Sequence, residues 1–291
     1  MINYSLPNFD GDYLELNILF ARLFQENPEW MRPGVCIKSV YGAFPSFDLN
    51  GGRVYVGQKT PKKEMEKSFS LLAECGIYPR ITCTNQLVTK QKLSEPYTKQ
   101  VLETAAKYNG QAIVFLDEIG KSIKEIYGMP IILTTNRHLQ TAKEVNAACE
   151  TYDTVVLNYN NHKNPDLLNE LQYPKKIEVM ANEYCRTNCV YRKEHSLSES
   201  RLQLAKKNFG LNCKYNNKFG MNKVNYSVFT PEEIQEYSHK YKVCNFKIVG
   251  REAKIYEIFR RIKKYLVLPT YEQNVNSYFK KHFSNPDALI I

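Results

Sequence analysis

Residues 112–134 decide the fold class: Ala112-Ile-Val-Phe-Leu116, then Asp117-Glu-Ile-Gly-Lys-Ser-Ile-Lys-Glu-Ile-Tyr127, then Gly128-Met129-Pro-Ile-Ile-Leu-Thr134. The outer segments are short, continuous apolar runs, the pattern of strands buried on both faces of a parallel sheet. Between them, Gly120–Tyr127 reads as a short helix. The same alternation extends in both directions, with strands expected at Ile2–Leu6, Val35–Tyr41, Tyr78–Thr84, Thr154–Asn158, Lys176–Ala181 and Val243–Val249. Helices fit between them at Asp12–Gln25, at a segment capped by Thr60-Pro61 with Met65, Phe69 and Leu72 as its stripe, and at Val101–Tyr108, Leu139–Glu150, Pro165–Leu171 and Pro231–Lys240. The last, Glu252–Leu266, repeats Ile255, Ile258, Phe259, Ile262 and Leu266 at helical spacing.

Eight such units in a chain of this length predict an α/β fold, a (β/α)8 TIM-type barrel over residues 1–267, rather than an open doubly wound sheet. About sixty residues separate the seventh strand from the eighth, more than a usual connection. They form an expected long Cys-containing insertion, loop 182–242, and residues 268–291 read as a C-terminal tail.

The chain has 291 residues, 43% hydrophobic and 24% charged, which excludes wholesale disorder. No apolar run approaches the roughly 18 residues of a membrane span. The start, MINYSLPNFDGDYLEL, lacks a basic n-region, so a soluble cytoplasmic protein is expected. Forty Lys+Arg against 30 Asp+Glu give +10, partly from Arg260-Arg261-Ile262-Lys263-Lys264 and Lys280-Lys281-His282. That excess serves solubility or attracts an anion such as RNA.

Eight cysteines without an export signal point away from disulfides and toward ligands or reactive thiols. Cys185-Arg-Thr-Asn-Cys189 follows the seventh strand, and Cys213 and Cys244 come later. No C-x-x-C knuckle is present, which excludes a zinc ribbon and a thioredoxin motif. A scattered set gathered by a loop suits an iron–sulfur cluster or an irregular zinc site, the alternative being free loop thiols. Cys75 and Cys149 read as core, Cys36 lies toward the barrel bottom, and Cys83 stands near a strand's C-terminal end.

Two segments carry a family resemblance. The first is Ile177-Glu-Val-Met-Ala-Asn-Glu-Tyr-Cys185-Arg-Thr-Asn-Cys189-Val-Tyr-Arg-Lys-Glu-His195 and the second Phe246-Lys-Ile-Val-Gly-Arg251, with Asn50-Gly-Gly-Arg-Val-Tyr-Val-Gly57 a looser match. Together they resemble the collagenase-like, unassigned-peptidase family 32. The resemblance implies a barrel whose loop cysteines, Cys185, Cys189, Cys213 and Cys244, hold a [4Fe–4S] cluster. It further implies oxygen-independent hydroxylation of RNA or a quinone ring, with prephenate as a proposed oxygen donor, rather than proteolysis. The chain departs from longer members in lacking their C-terminal extension. Its fourth ligand is also open: Cys244 lies about 10 Å of extended chain from the mouth, which leaves Cys83 or an exogenous group as alternatives.

In a barrel the active site gathers at the C-terminal strand ends. There Asp117 or Glu118 would act as general base and His195 as proton donor or cluster neighbour. Asn85, Asn136, Asn158, Asn182, Glu183, Arg192, Lys247 and Arg251 would line a pocket for a small anionic substrate or RNA, the cations pairing with carboxylate or phosphate. His138, His162, His239 and His282 read as surface residues. An electron donor and a homo- or hetero-oligomer fit this reading, and no membrane partner is expected. The competing readings are a nucleic-acid-binding protein with a structural metal site, and a metal-free barrel hydrolase or lyase.

Overall fold

A computed structural model describes residues 1–208, 226–250 and 253–290. The first half of the chain alternates β1 (Ile2–Pro7), α1 (Gly11–Glu26), β2 (Val35–Gly42), α2 (Lys62–Glu74), β3 (Tyr78–Cys83), α3 (Pro96–Lys107) and β4 (Gln111–Val114). Then come α4 (Asp117–Tyr127), β5 (Ile131–Leu133), α5 (Ala142–Thr151), β6 (Thr154–Val156), α6 (Pro165–Asn169) and β7 (Ile177–Met180). The remainder holds β8 (Asn182–Arg186), α7 (Arg192–Leu204), β9 (Tyr226–Val228), α8 (Pro231–Tyr241), β10 (Asn245–Lys247), α9 (Ile255–Leu266) and α10 (Glu272–His282).

Eight parallel strands close into a barrel in the order β1-β10-β7-β6-β5-β4-β3-β2. The closing pairs are Asn3↔Asn245 and Ile2↔Val35. Every expected strand is present, and β8 pairs with β9 in a separate antiparallel ribbon. That ribbon and α7 follow β7, before α8 leads into β10. The expected Thr60 cap is not used: α2 begins at Lys62 behind Pro61, without a side-chain cap.

Period-two alternation explains the closure. Outward side chains such as Leu6, Val40, Ile81, Val114, Leu133, Val155, Val179 and Phe246 join the helices in one apolar layer. Each such side chain contributes about 1.5–3 kcal/mol on burial. Tyr41, Ile113, Ile132, Val156, Tyr159 and Met180 pack as a second cluster inside the barrel. Two residues nearer the N-terminal rim the interior turns polar. Ser5 Oγ bonds Ser39 Oγ at 2.9 Å and Glu178 Oε2 at 3.0 Å, and Arg80 pairs with Glu178 and bonds Gln111 at 2.8 Å. Burial opposes the Glu178 charge, yet Arg80 and Lys247 hold its carboxyl below the usual range.

Residues beyond 267 are packed against the barrel's helices. Phe279 of α10 is buried, its ring 4.5 Å from Phe20 and 4.9 Å from Phe259. On the N-terminal rim Trp30 stacks on Tyr271 at 5.8 Å and 15°, and its carbonyl accepts from Leu268 N at 2.9 Å. Among the described residues, no helix is long and apolar enough to cross a membrane.

Candidate functional site

The C-terminal rim beyond β7 carries the densest chemistry. Asn182 ties that rim shut: its Oδ1 accepts from Val249 N at 2.7 Å and its Nδ2 donates to Val249 O at 3.0 Å. Gly250 follows, where a Cβ would meet Ile258 Cδ1 at 2.2 Å, so a larger residue there would have to displace the end of that side chain. Glu183 is buried, accepting from Cys185 N at 2.8 Å and pairing with Arg192 at 3.4 Å. Burial disfavours the Glu183 charge, but Arg192 and the Cys185 amide hold its carboxyl below the usual range.

Cys185 is half-buried against the apolar cluster inside the barrel. The Tyr159 hydroxyl lies 3.9 Å from Cys185 Sγ and donates to Arg186 O at 3.2 Å. The Arg192 guanidinium sits 5.2 Å over the Tyr159 ring. Burial pushes the Cys185 thiol up, and Arg192 pulls it back only in part. Cys189 is half-buried in the turn after β8, where Asn188 N donates to Asn160 Oδ1 at 2.8 Å.

Helix α7 seats on the strand ends, which determines what several expected substrate residues do. Asn136 Nδ2 donates to Ser196 Oγ at 2.9 Å, and Gln86 Nε2 reaches the same oxygen at 2.6 Å. Asn85 Nδ2 donates to Ser200 O at 3.1 Å and to Asn50 O at 3.2 Å. Gly51 packs so close to Asn85 that a Cβ would meet its Cα at 2.4 Å, which gives the Asn50-Gly-Gly phrase a structural reason. Gln203 Nε2 donates to Phe47 O at 3.0 Å and Tyr55 O at 3.1 Å, while its Oε1 accepts from Tyr55 N at 2.7 Å. Asn158 is buried, its Oδ1 accepting from Asn160 N at 3.2 Å; its Nδ2 has no partner among the described residues.

Lys247 faces the barrel interior with its ammonium 3.7 Å from the Tyr41 ring centroid. His195 lies in the first turn of α7 and stacks on Tyr191 at 6.2 Å. Asp117 and Glu118 are exposed in the first turn of α4. Asp117 bonds Arg137 at 2.5 Å and Tyr152 at 2.5 Å; burial opposes its charge, but these donors hold the carboxyl below its usual range. Cys213 and Arg251 lie outside the described residues.

Cys244 stands before β10 on the N-terminal rim, its carbonyl accepting from Asn3 N at 2.7 Å. The structure therefore brings Cys185 and Cys189 to one rim and Cys244 to the other, because a residue preceding a parallel strand emerges at the end opposite one that follows it. Cys83 is buried in the layer beneath the helices, because Thr82 takes the inward position of β3. Among the described residues no three His, Cys, Asp or Glu side chains form a metal-binding group. His162, expected at the surface, is fully buried between Ser227 at 2.9 Å and Leu157 O at 3.2 Å, and burial lowers its pKa to about 4. The basic run 260–264 serves packing in part: Arg261 bonds Val249 O at 3.0 Å and covers Tyr184, and Lys263 bonds Asn276 at 2.9 Å.

Sequence reasoning assigned no role of their own to Tyr159 and Arg53, and it missed Ser196, Ser200 and Gln203. A cavity of 320 Å³ lies beside the start of α1, lined by Asp10, Tyr13, Asn50, Arg53 and Tyr55 among others. Two of its walls hold α7, through Arg53–Glu199 at 3.2 Å and Tyr55–Gln203.

No protein-family profile matches the chain, and no curated protein matches its sequence. The fold is similar to that of a U32 peptidase of known structure, with a TM-score of 0.55 over 86% of this chain and 93% of that one, at 9% identity. A 3-keto-D-glucoside 4-epimerase from E. coli aligns over 90% of this chain and 98% of its own, at 9% identity and a TM-score of 0.31. The U32 likeness reaches the barrel architecture.

Proposed function

We propose that the chain is an iron–sulfur enzyme, an oxidoreductase of the oxygen-independent hydroxylase type. It acts at the C-terminal mouth on a small anionic metabolite, a cofactor precursor or an RNA base. The observation that carries this reading is the Cys185 thiol, which stands at the mouth between the Tyr159 hydroxyl and the Arg192 guanidinium, four residues before Cys189. A sulfur-ligated cluster needs thiolates, compensating donors and shielding from water, and the half-buried thiol with a hydroxyl and a guanidinium beside it supports such a site. Cys185 and Cys189 would hold it, with Cys213 as the third ligand; the opposite-rim position of Cys244 leaves the fourth iron to another group. A bound [4Fe–4S] cluster supplies one-electron transfer and a Lewis-acidic iron.

The chain's own residues do the rest. Glu183 fixes the Arg192 guanidinium beside the sulfur, and the cation favours the thiolate. Tyr159 directs its hydroxyl toward the sulfur. Lys247, held over Tyr41, attracts an anionic group from inside the barrel, and His195 supplies a proton at the start of α7. The likeness to a U32 peptidase supports the barrel on which this reading stands. Protein purified anaerobically is expected to be brown, with about four irons and four sulfides per chain. Cys185→Ser and Cys189→Ser should each reduce that iron to near zero in a folded protein. A colourless wild type that stays iron-free after anaerobic reconstitution overturns the proposal.

A further inference from the structure

Helix α7 is attached to the barrel differently from the other helices. The residues it buries are Ser196, Ser200 and Gln203, all polar. Among the described residues, Leu204 at the last turn is the only one of its leucines that packs against the main apolar layer. Its seat is instead a row of hydrogen bonds to Asn136, Gln86, Asn85, Phe47 O and the Tyr55 backbone. Ion pairs fasten both ends: Arg192 with Glu183, and Lys206 with Asp48 just beyond the helix. Asn188 and Lys206, at φ 54° each, turn the chain sharply on either side.

Such a seat separates at small net cost, because water replaces each hydrogen bond as the surfaces part, whereas an apolar seat loses its burial outright. The strand ends next to this seat hold polar atoms that nothing described there satisfies: Thr84 Oγ1, Asn136 Oδ1, Asn158 Nδ2 and His138 Nε2. A buried donor or acceptor left alone is costly, and a hydrogen-bonding ligand beneath the helix would relieve that cost. The residues carrying these atoms follow β3, β5 and β6, on the rim where Cys185 stands.

We propose that α7 is a displaceable lid over the barrel mouth, latched by Ser196, Ser200 and Gln203, and that it opens as a unit while the barrel stays folded. The lid rests on the functional reading above only for what passes beneath it.

Hydrogen exchange followed by mass spectrometry on the full-length, metal-free chain tests this. Amides of 195–204 are expected to exchange at least about 100-fold faster than those of α9, as sub-global opening requires. Gln203→Ala should raise that ratio about tenfold further and speed iodoacetamide labelling of Cys185 by a similar factor, with the thermal midpoint shifted by no more than about 2 °C. Exchange of α7 at the rate of α9, in the wild type and in the variant, would show that it is released only by global unfolding and would overturn the lid. Since the exchange experiment uses no metal, a protein that stays iron-free after anaerobic reconstitution but whose α7 opens early defeats the functional proposal and leaves the lid standing.

Discussion

Helices α9 and α7 have nearly the same length, 12 and 13 residues, and opposite means of attachment. α9 buries Ile258, Phe259, Ile262, Tyr265 and Leu266, with Phe259 between Phe20 and Phe279. α7 buries two serines and a glutamine. The first belongs to the wall of the barrel, and its removal exposes the core. The second covers an opening, and its surface is made to meet either protein or water. Equal regularity of backbone therefore says little about how tightly an element is held.

The contrast can be broken most forcefully at Phe259. Phe259→Ala should destabilise the fold by about 3–5 kcal/mol, read by urea unfolding, through lost burial and the cavity left behind. A loss below about 1 kcal/mol would mean that α9 is no better anchored than α7. An intermediate effect is expected from His162, which fastens β9 to the barrel through Ser227. Its folded pKa of about 4 lies below the ordinary 6.5, so the unfolded chain takes the proton first as pH falls. Stability is thus complete above about pH 6.5 and should decline by about 2 kcal/mol down to about pH 5, before the depressed carboxylates Glu178 and Glu183 contribute. His138, lowered to about 4 by burial beside Arg192 and Lys193, adds to the same slope. His162→Gln should flatten the slope, and an unchanged pH profile in that variant would remove the assignment. The smallest effect belongs to Gln203→Ala, whose global unfolding free energy should stay within about 1 kcal/mol of the wild type although three hydrogen bonds are lost. A larger loss would make α7 part of the wall.

The same contrast marks what the sequence could say. The eight strands were legible because most are runs of apolar residues that a parallel barrel must cover on both faces. The stripe of α9 was legible because apolar residues recur at helical spacing. α7 was not, since Arg192-Lys-Glu-His-Ser-Leu-Ser-Glu-Ser-Arg-Leu-Gln-Leu204 has no such stripe and its buried face is polar. Asn85 and Asn136 were correctly placed at strand ends, but their partners on α7 lie more than fifty residues away. A charge set inside an apolar strand was the available signal for Arg80 and Glu178. The rim that Cys244 occupies follows from strand direction alone, whereas the burial of His162 depends on β9, a three-residue strand without a sequence signature.

The stack of Trp30 on Tyr271 has a practical consequence. Trp30 is the chain's single tryptophan, and it sits on the rim opposite Cys185. Intrinsic emission excited at long wavelength therefore reports the docking of the C-terminal segment and the melting of the N-terminal rim. It is blind to movement of the covering helix, so a fluorescence melting curve on this protein will look cooperative even while the far rim is breathing.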